Sequence, residues 1–182
     1  MTTAAESSRF ILERVGKVLA EQDPVAVNES VALIGHAKKV FVYGVGRSGL
    51  VARAFAMRLV QLGLEVYFIG ETITPIVSAG DLVVIVSNTG TTMSAVQTAN
   101  IARRVGASVV SVTASKSSKL AAASNIVLHV KEESGGEKAK HAPLATLFED
   151  ATLVLLDGLV AQLMEARGQT EADMRARHAI MV

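Results

Sequence analysis

Hydroxyl side chains are concentrated in one short stretch of the chain, SNTGTT at residues 87–92. The stretch follows the aliphatic run Leu82–Val86 and precedes a helical pattern that begins at Met93. A strand, a polar turn and a helix N-terminus together can bind phosphate, because free backbone N–H groups and the positive end of the helix dipole point at the ligand. The alternative is an ordinary helix cap, since Ser and Thr are common at that position.

A second polar turn, GVGRSG at residues 44–49, also lies between a predicted strand and a predicted helix. Its cation and hydroxyl, Arg47 and Ser48, favour a phosphate site built from both turns. Its glycine spacing also matches the dinucleotide fingerprint, and Glu71 lies near the end of the next strand, where a ribose-binding acid is expected. A nicotinamide-binding module is therefore an alternative, although 182 residues leave little room for the catalytic domain of a dehydrogenase.

Glu149 is the carboxylate with the most unusual surroundings. It lies in a predicted helix from Leu144 to Ala166. Its neighbours at −4, +4, +7 and +11 are all apolar: Ala145, Leu153, Leu156 and Val160. An acid on an apolar ridge is either paired with a cation or poised for proton transfer with a raised pKa. The competing interpretation is a salt bridge to an arginine in a subunit contact. Asp150 and Asp157 lie on a more polar ridge and are expected to be solvated.

The four histidines give no metal-ligand spacing, and no Ser/His/Asp arrangement can be argued. We expect His36 and His141 at the surface and His129 at a strand end. His178, in the C-terminal segment MRARH, is ambiguous by itself, because a frayed surface histidine explains it as well as a functional one. The sequence therefore predicts no metal site.

The composition excludes several function classes. A formal net charge of +1 gives no electrostatic basis for binding nucleic acid or an anionic membrane. The absence of Cys excludes disulfides and cysteine chemistry and fits a reducing cytosol. The N-terminal MTTAAESSRF lacks the features of a signal peptide, and the uncharged segment 82–102 is too rich in polar side chains to span a membrane. We expect a cytoplasmic, globular protein.

Strands alternate with helices along the middle of the chain, which predicts βαβ units and an α/β fold with a parallel sheet. Five strands are predicted, at residues 39–43, 65–69, 82–86, 108–113 and 126–130. Polar turns after the first and third strands favour the order 2-1-3-4-5, because these two strands are then neighbours at the topological switch point. The two turns would face each other across one crevice.

The chain, residues 1–182, is predicted to form a single domain. Its segments are N-terminal helices (1–38), the βαβ core (39–130), a charged mobile loop (131–142) and C-terminal helices (143–182). A short helix is expected from Pro75 to about Gly80, since Thr74-Pro75 is typical of a helix start. The long C-terminal helix is apolar nearly all round, so part of it is expected to pack against another subunit.

The chain resembles the sugar isomerase (SIS) domain and, within it, the 6-phospho-3-hexuloisomerase family. The resemblance covers essentially the whole chain through FVYGVGRSG (41–49), AMRLVQLG (56–63), GETITP (70–75), the turn at 87–92, APLATLFE (142–149) and MRARHA (174–179). It implies a flavodoxin-like, three-layer αβα sandwich. There are departures from the family pattern. The family turn typically reads SGSGET where this chain has SNTGTT, and Ala145 stands where glycine is usual.

The resemblance implies interconversion of D-arabino-3-hexulose 6-phosphate and fructose 6-phosphate through a cis-enediol, with no cofactor or metal. Glu149 would be the catalytic base, and His178 would be a second catalytic group that moves protons between substrate oxygens or opens a cyclic form. The phosphate would be held by residues of the two turns: Gly46, Arg47, Ser48, Ser87, Asn88, Thr89, Gly90 and Thr92. Thr91 stands where the family has a glutamate, which argues against a catalytic acid there.

The family also implies a homotetramer and a place in the ribulose monophosphate pathway of formaldehyde fixation, where 3-hexulose-6-phosphate synthase supplies the substrate. Two alternatives remain. One is another aldose–ketose isomerase of the same domain family. The other is a non-catalytic sugar-phosphate sensor, but such regulators carry an N-terminal helix-turn-helix module, for which about 38 residues before the first strand leave little room.

Overall fold

The structure is a computed structural model that describes residues 2–132 and 134–180. Its middle layer is a five-stranded parallel sheet in which the strands, numbered along the chain, have the order β2-β1-β3-β4-β5. The strands are β1 (Val40–Gly44), β2 (Val66–Phe68), β3 (Leu82–Val86), β4 (Ser108–Thr113) and β5 (Ile126–His129). The helices are α1 (Thr3–Ala20), α2 (Pro24–His36), α3 (Gly46–Gln61), α4 (Met93–Arg104), α5 (Lys119–Ala122), α6 (Gly136–His141), α7 (Thr146–Ala166) and α8 (Glu171–Ala176). The predicted fold class and strand order are confirmed.

The strands are buried on both faces, which explains their unbroken aliphatic sequences. Along β3, Leu82, Val84 and Val86 face the larger apolar cluster, which includes side chains of α1, α2, α3 and α7. Val83 and Ile85 face a second cluster, formed with α4 and α5. Successive side chains thus alternate between two helical layers, as the pleat of a strand requires.

The adjacency of β1 and β3 positions the two polar turns. The two strands pair in parallel over their full length, from Val40 beside Leu82 to Gly44 beside Val86. Both strands therefore end on the same side of the sheet, and the turns that lead into α3 and α4 start side by side. This is the predicted switch point, where open α/β sheets bind their ligands.

Two local predictions are wrong. Residues 75–80 form no helix and run as an irregular connection from β2 to β3, where the Thr74 hydroxyl donates to the carbonyl of Phe68 at 3.0 Å instead of capping a helix. The segment 131–142 is not loop throughout, because its second half forms α6. The mobility of its first half stays a prediction.

Helix α7 has apolar partners within its own chain, and its contact with another subunit stays a prediction. It packs against α1, α2 and α3 of the same chain, and this covers most of its apolar circumference. Leu153 and Val154 keep exposed fractions of 37% and 49%. Among the described residues, no helix has the length and apolar character that crossing a membrane requires.

Candidate active site

A cleft of about 250 Å³ lies at the carboxyl ends of β1 and β3, between the starts of α3 and α4. It is lined by Val45, Ser48, Val86, Ser87, Asn88, Thr89, Thr92, Ala95 and Ala145. Both polar turns and the residue before α7 therefore contribute to one surface. Of the predicted phosphate-binding residues, the cleft brings together Ser48, Ser87, Asn88, Thr89 and Thr92, whereas Gly46, Arg47 and Gly90 do not line it.

Backbone contact fixes the first turn. A Cβ atom on Gly49 would lie 2.6 Å from the carbonyl oxygen of Gly44, so the first turn of α3 touches the end of β1 directly. Gly46 has a φ of +59°, a left-handed conformation that favours glycine. No side chain caps the start of α3 at Val45, and the first N–H groups of a helix have no partner within the helix. These donors are available to an anion in the cleft.

Hydroxyls and one tightly packed glycine form the second turn. The Ser87 hydroxyl donates to that of Thr92 at 3.2 Å, and the hydroxyls of Thr89 and Thr91 lie 2.9 Å apart. Gly90 has a φ of +62° and packs so closely on the start of α5 that a Cβ there would lie 2.1 Å from Oγ of Ser118. Gly90 therefore lets the turn pack directly against Ser118, on the side away from the cleft. Thr92 makes no capping hydrogen bond with its side chain, so its hydroxyl can turn to a ligand.

Asn88 ties the second turn to the segment after β5. Its backbone carbonyl accepts from the amide of Ala114 at 2.9 Å and from the hydroxyl of Thr113 at 3.0 Å. Its side-chain amide donates to Oε2 of Glu132 at 2.6 Å, and Oε1 of Glu132 lies 2.7 Å from Nζ of Lys138. The sequence did not single out Glu132 or Lys138, because a charged segment far from both turns carries no local signal of this contact.

Glu149 is buried beside the first turn, with an exposed fraction of 6%. Its Oε1 lies 3.4 Å from the Ser48 hydroxyl, which donates to it, and its Oε2 lies 3.1 Å from Nη1 of Arg47. Burial raises the pKa of Glu149 above its usual value, although the guanidinium of Arg47 and the Ser48 hydroxyl act in the opposite direction. The predicted arrangement of a carboxylate with a raised pKa is present, and so is an arginine partner, supplied by the same chain.

Arg47 faces α7 and not the second turn. Besides Glu149, it contacts Asp150 through Nη2 at 2.8 Å and the Thr146 hydroxyl through Nη1 at 3.1 Å. Asp150, expected to be solvated, is therefore paired with a cation. The guanidinium joins the start of α3 to the start of α7 and so holds Glu149 near the cleft.

His178 lies far from Glu149 within the chain. It is exposed and borders a different hollow, together with Arg58, Gln61 and Asp157 near the C-terminal end of α3. Glu149 sits near the N-terminal end of that helix, whose 16 residues span about 24 Å. The structure does not bring the two predicted catalytic residues together in one chain.

His141 was expected at the surface, and that prediction is wrong. Its exposed fraction is 8%, its Nδ1 lies 3.0 Å from the Ser7 hydroxyl, and its ring centroid is 5.5 Å from that of Phe10. It connects α6 to α1. The sequence could not show this, because α1 lies more than a hundred residues away along the chain.

Within residues 2–132 and 134–180, no group of three or more His, Cys, Asp or Glu side chains could hold a metal ion.

Glu71 is the acid that the dinucleotide alternative requires. It forms an ion pair with Arg53, whose guanidinium stacks 3.6 Å from the ring centroid of Phe68. The carboxylate that would bind a ribose is thus already paired.

Sequence comparison finds relatives along most of the chain. The family model described as SIS domain matches residues 33–155. A protein of Archaeoglobus fulgidus is 39% identical over 94% of this chain and 96% of its own length. The 3-hexulose-6-phosphate isomerase of Methylomonas aminofaciens is 36% identical over 81% of this chain and 83% of its own length.

The fold has a close counterpart among solved structures. A protein of Methanococcus jannaschii, for which a molecular function of 3-hexulose-6-phosphate isomerase was inferred from its crystal structure, superposes with a TM-score of 0.87 at 27% identity. The superposition covers 97% of this chain and 99% of that protein.

Proposed function

Because the chain belongs to the SIS domain family, we propose that it is a ketose-phosphate isomerase that interconverts D-arabino-3-hexulose 6-phosphate and fructose 6-phosphate. The observation that carries the proposal is the contact between Ser48 and Glu149. It connects a cleft lined with hydroxyl groups to a buried carboxylate. A sugar phosphate needs both parts, one for its anionic end and one for its reacting carbons.

The reaction moves a carbonyl group between C3 and C2 of the sugar. A base removes the proton from C2, which gives a cis-enediolate, the anion of the cis-enediol, with its negative charge on the C3 oxygen. The hydroxyl proton of C2 passes to that oxygen, and the base returns its proton to C3 as the carbonyl forms at C2. Glu149 is our candidate for this base, since its raised pKa brings it closer to that of an efficient proton acceptor and donor. The hydrogens move within the substrate, so the route needs no redox cofactor.

The phosphate group would lie in the cleft between the two helix starts. Ser48 on one side, with Ser87, Thr89 and Thr92 on the other, supplies hydroxyl donors. The uncapped N-termini of α3 and α4 add backbone N–H groups and the positive ends of two helix dipoles. Arg47, bound to α7, acts on Glu149 and contributes to phosphate binding only through its long-range charge.

A coupled assay tests the function directly. Formaldehyde and ribulose 5-phosphate, with a 3-hexulose-6-phosphate synthase, generate the hexulose phosphate, and added chain should convert it to fructose 6-phosphate. Turnover well above that of the control without the chain is expected. No turnover, with tight sugar-phosphate binding retained, would instead support the non-catalytic sensor. Turnover confined to another sugar phosphate would support a related isomerase.

We also propose that His178 completes the active site of a neighbouring subunit in a homotetramer. His178 is exposed and about the length of α3 away from Glu149 of its own chain, so the two residues could share a site only across a subunit contact. Mixing inactive Glu149→Gln and His178→Ala chains and letting them reassemble tests this. Across a two-fold axis, random pairing should restore about a quarter of wild-type activity per site. A verified hybrid without activity, or a fully active His178→Ala protein, would exclude the shared site.

The family relation supports a cytoplasmic role in the ribulose monophosphate pathway, next to a 3-hexulose-6-phosphate synthase. Formaldehyde fixation would then depend on this chain to convert the hexulose phosphate to fructose 6-phosphate. Disruption of the gene should make cells that carry the synthase more sensitive to formaldehyde. Unchanged sensitivity, in a strain with no second isomerase, would argue against this role.

A further inference from the structure

Lys138 lies at the centre of a polar contact that joins three separate parts of the site. Its Nζ is 2.7 Å from Oε1 of Glu132, whose other oxygen accepts from the side chain of Asn88 at 2.6 Å. The same Nζ donates to the backbone carbonyl of Leu144, just before α7. We call this contact the Lys138 bridge. It connects the second turn, the segment after β5 and the start of the helix that carries Glu149.

The bridge ends on an unusual backbone conformation. Leu144 has a φ of +57°, and among the described residues it is the only one other than glycine with a positive φ. A left-handed conformation is unfavourable for a residue with a Cβ, because that atom comes too close to the following carbonyl oxygen. The side chain does not explain this conformation, because its exposed fraction is 89%. The carbonyl held by Lys138 gives a reason why the strained conformation persists.

The bridge is also sheltered enough to matter. The side chains of Lys138 and Glu132 are only 18% and 22% exposed. A partly buried ion pair with additional hydrogen bonds holds its geometry better than a surface pair, and removing one partner leaves the other charge unpaired.

We propose that Lys138 is a positioning residue for the isomerase proposed above, and this inference rests on that function. Through Glu132 and Asn88 it fixes the phosphate-binding turn. Through the carbonyl of Leu144 it fixes the start of α7, and therefore Glu149. The distance between the phosphate and the reacting carbons of the substrate is constant, so the two halves of the site must be held at a matching distance.

The decisive experiment compares Lys138→Met with Lys140→Met, an exposed lysine of the same helix as matched control. Lys138→Met should lower kcat/KM by roughly tenfold to a hundredfold, the size expected for a misplaced catalytic group. Its affinity for inorganic phosphate should fall as well, because Asn88 loses its support. Lys138→Arg should retain much of the activity, and Lys140→Met should behave like the wild type.

A second substitution separates positioning from mere stability. Glycine adopts a positive φ without strain, so Leu144→Gly in the Lys138→Met background should recover a large part of kcat.

The pH dependence of kcat/KM is a further readout, because its acid limb reports the pKa of the base. The charged groups around Glu149 are Arg47, Asp150 and Glu132, and loss of the cation beside Glu132 should move that limb to higher pH.

The outcomes are distinct from those that test the function. A folded Lys138→Met protein with wild-type kcat/KM would overturn the inference, as would a loss that neither Lys138→Arg nor Leu144→Gly recovers. If Lys138→Met does not fold, Glu132→Gln makes the same comparison, since it removes the charge that attracts Lys138. If the wild type does not act on hexulose phosphate, the proposed function fails. Phosphate titration then decides, and equal affinity in wild type and Lys138→Met overturns the inference.

Discussion

The two polar turns occupy equivalent places in the fold but differ in how they are built. The first, at 44–49, is fixed by backbone contact between Gly44 and Gly49, and its one charged side chain contacts α7. The second, at 87–92, presents hydroxyls to the cleft. It packs on Ser118 through Gly90 and is hydrogen-bonded to Glu132 through Asn88. Both turns line the cleft, and the first turn also contacts the candidate base.

The difference shows that a phosphate-like sequence pattern does not fix what each side chain does. Arg47 is the residue with the strongest apparent claim to a phosphate, yet its guanidinium is paired with Glu149 and Asp150. The neutral hydroxyls of the second turn are hydrogen-bonded to one another, and they can exchange these bonds for bonds to an anion. Substitution of Arg47 or of its α7 partner Glu149 should therefore change the chemical step, whereas substitutions in the second turn should change binding.

The largest effect is expected from Glu149→Gln, which keeps shape and polarity but cannot accept a proton. We predict a fall in kcat of roughly 10² to 10⁴, the usual contribution of a general base, with substrate binding nearly unchanged. Single-turnover kinetics and a binding titration measure the two quantities. Asp157→Asn, on the exposed side of the same helix, is the control. Wild-type turnover in Glu149→Gln would remove Glu149 from the mechanism.

The next effect distinguishes the glycines of the two turns. A Cβ at Gly46 would meet nothing within 4 Å, so Gly46→Ala should cost only the left-handed strain of roughly 1–2 kcal/mol. At Gly90 the same strain is joined by the contact with Ser118, so Gly90→Ala should lower the free energy of unfolding by more. Urea unfolding of both variants measures the difference. Equal losses of unfolding free energy would show that the second turn and Ser118 move apart at little cost.

Ser87→Ala and Thr92→Ala should weaken sugar-phosphate binding by about 1.5 to 3 kcal/mol each, the value of a hydrogen bond to a charged group. The rate of the chemical step should change little. Inorganic phosphate should compete with the substrate in the wild type and less effectively in the variants. Ser94→Ala, an exposed position one residue into α4, is the matched control. A change in kcat without a change in binding would contradict the division between the turns.

A smaller effect concerns the pH profile. Only ionised Glu149 can accept a proton, and burial raises its pKa, so the acid limb of kcat/KM should lie above the ordinary glutamate value of about 4.3. Arg47 opposes this rise, so Arg47→Met should move the limb to still higher pH. Profiles of both proteins between pH 4 and 9 test this, and an unmoved limb would mean that another group controls it.

The smallest effect is on stability. The pKa of Glu149 is raised in the folded chain, so folding favours its protonated form; its contribution is fully present below the unfolded pKa and is lost as the pH rises through the folded value. Glu149→Gln should therefore gain stability relative to the wild type as the pH increases. Thermal unfolding at pH 4 and pH 8 measures the trend. A gain confined to low pH would reverse the sign.

The sequence by itself determined the fold. Aliphatic runs, helical periodicity and their alternation depend on neighbours within a few residues, and they specified the five parallel strands, their order and the crevice between β1 and β3. Glu149 was also identified in this way, because its apolar neighbours at helical spacing made a buried carboxylate visible before any contact was known.

Only the tertiary structure decided which side chains meet. The pairing of Arg47 with α7, the Lys138 bridge and the burial of His141 join segments that lie far apart along the chain. No local pattern encodes such contacts, since they depend on how helices dock on the sheet. For the same reason a helix that reads as apolar all round proved to be covered largely by its own chain. Charged and polar groups at a site take the partners that packing brings within reach, and packing is a property of the whole fold.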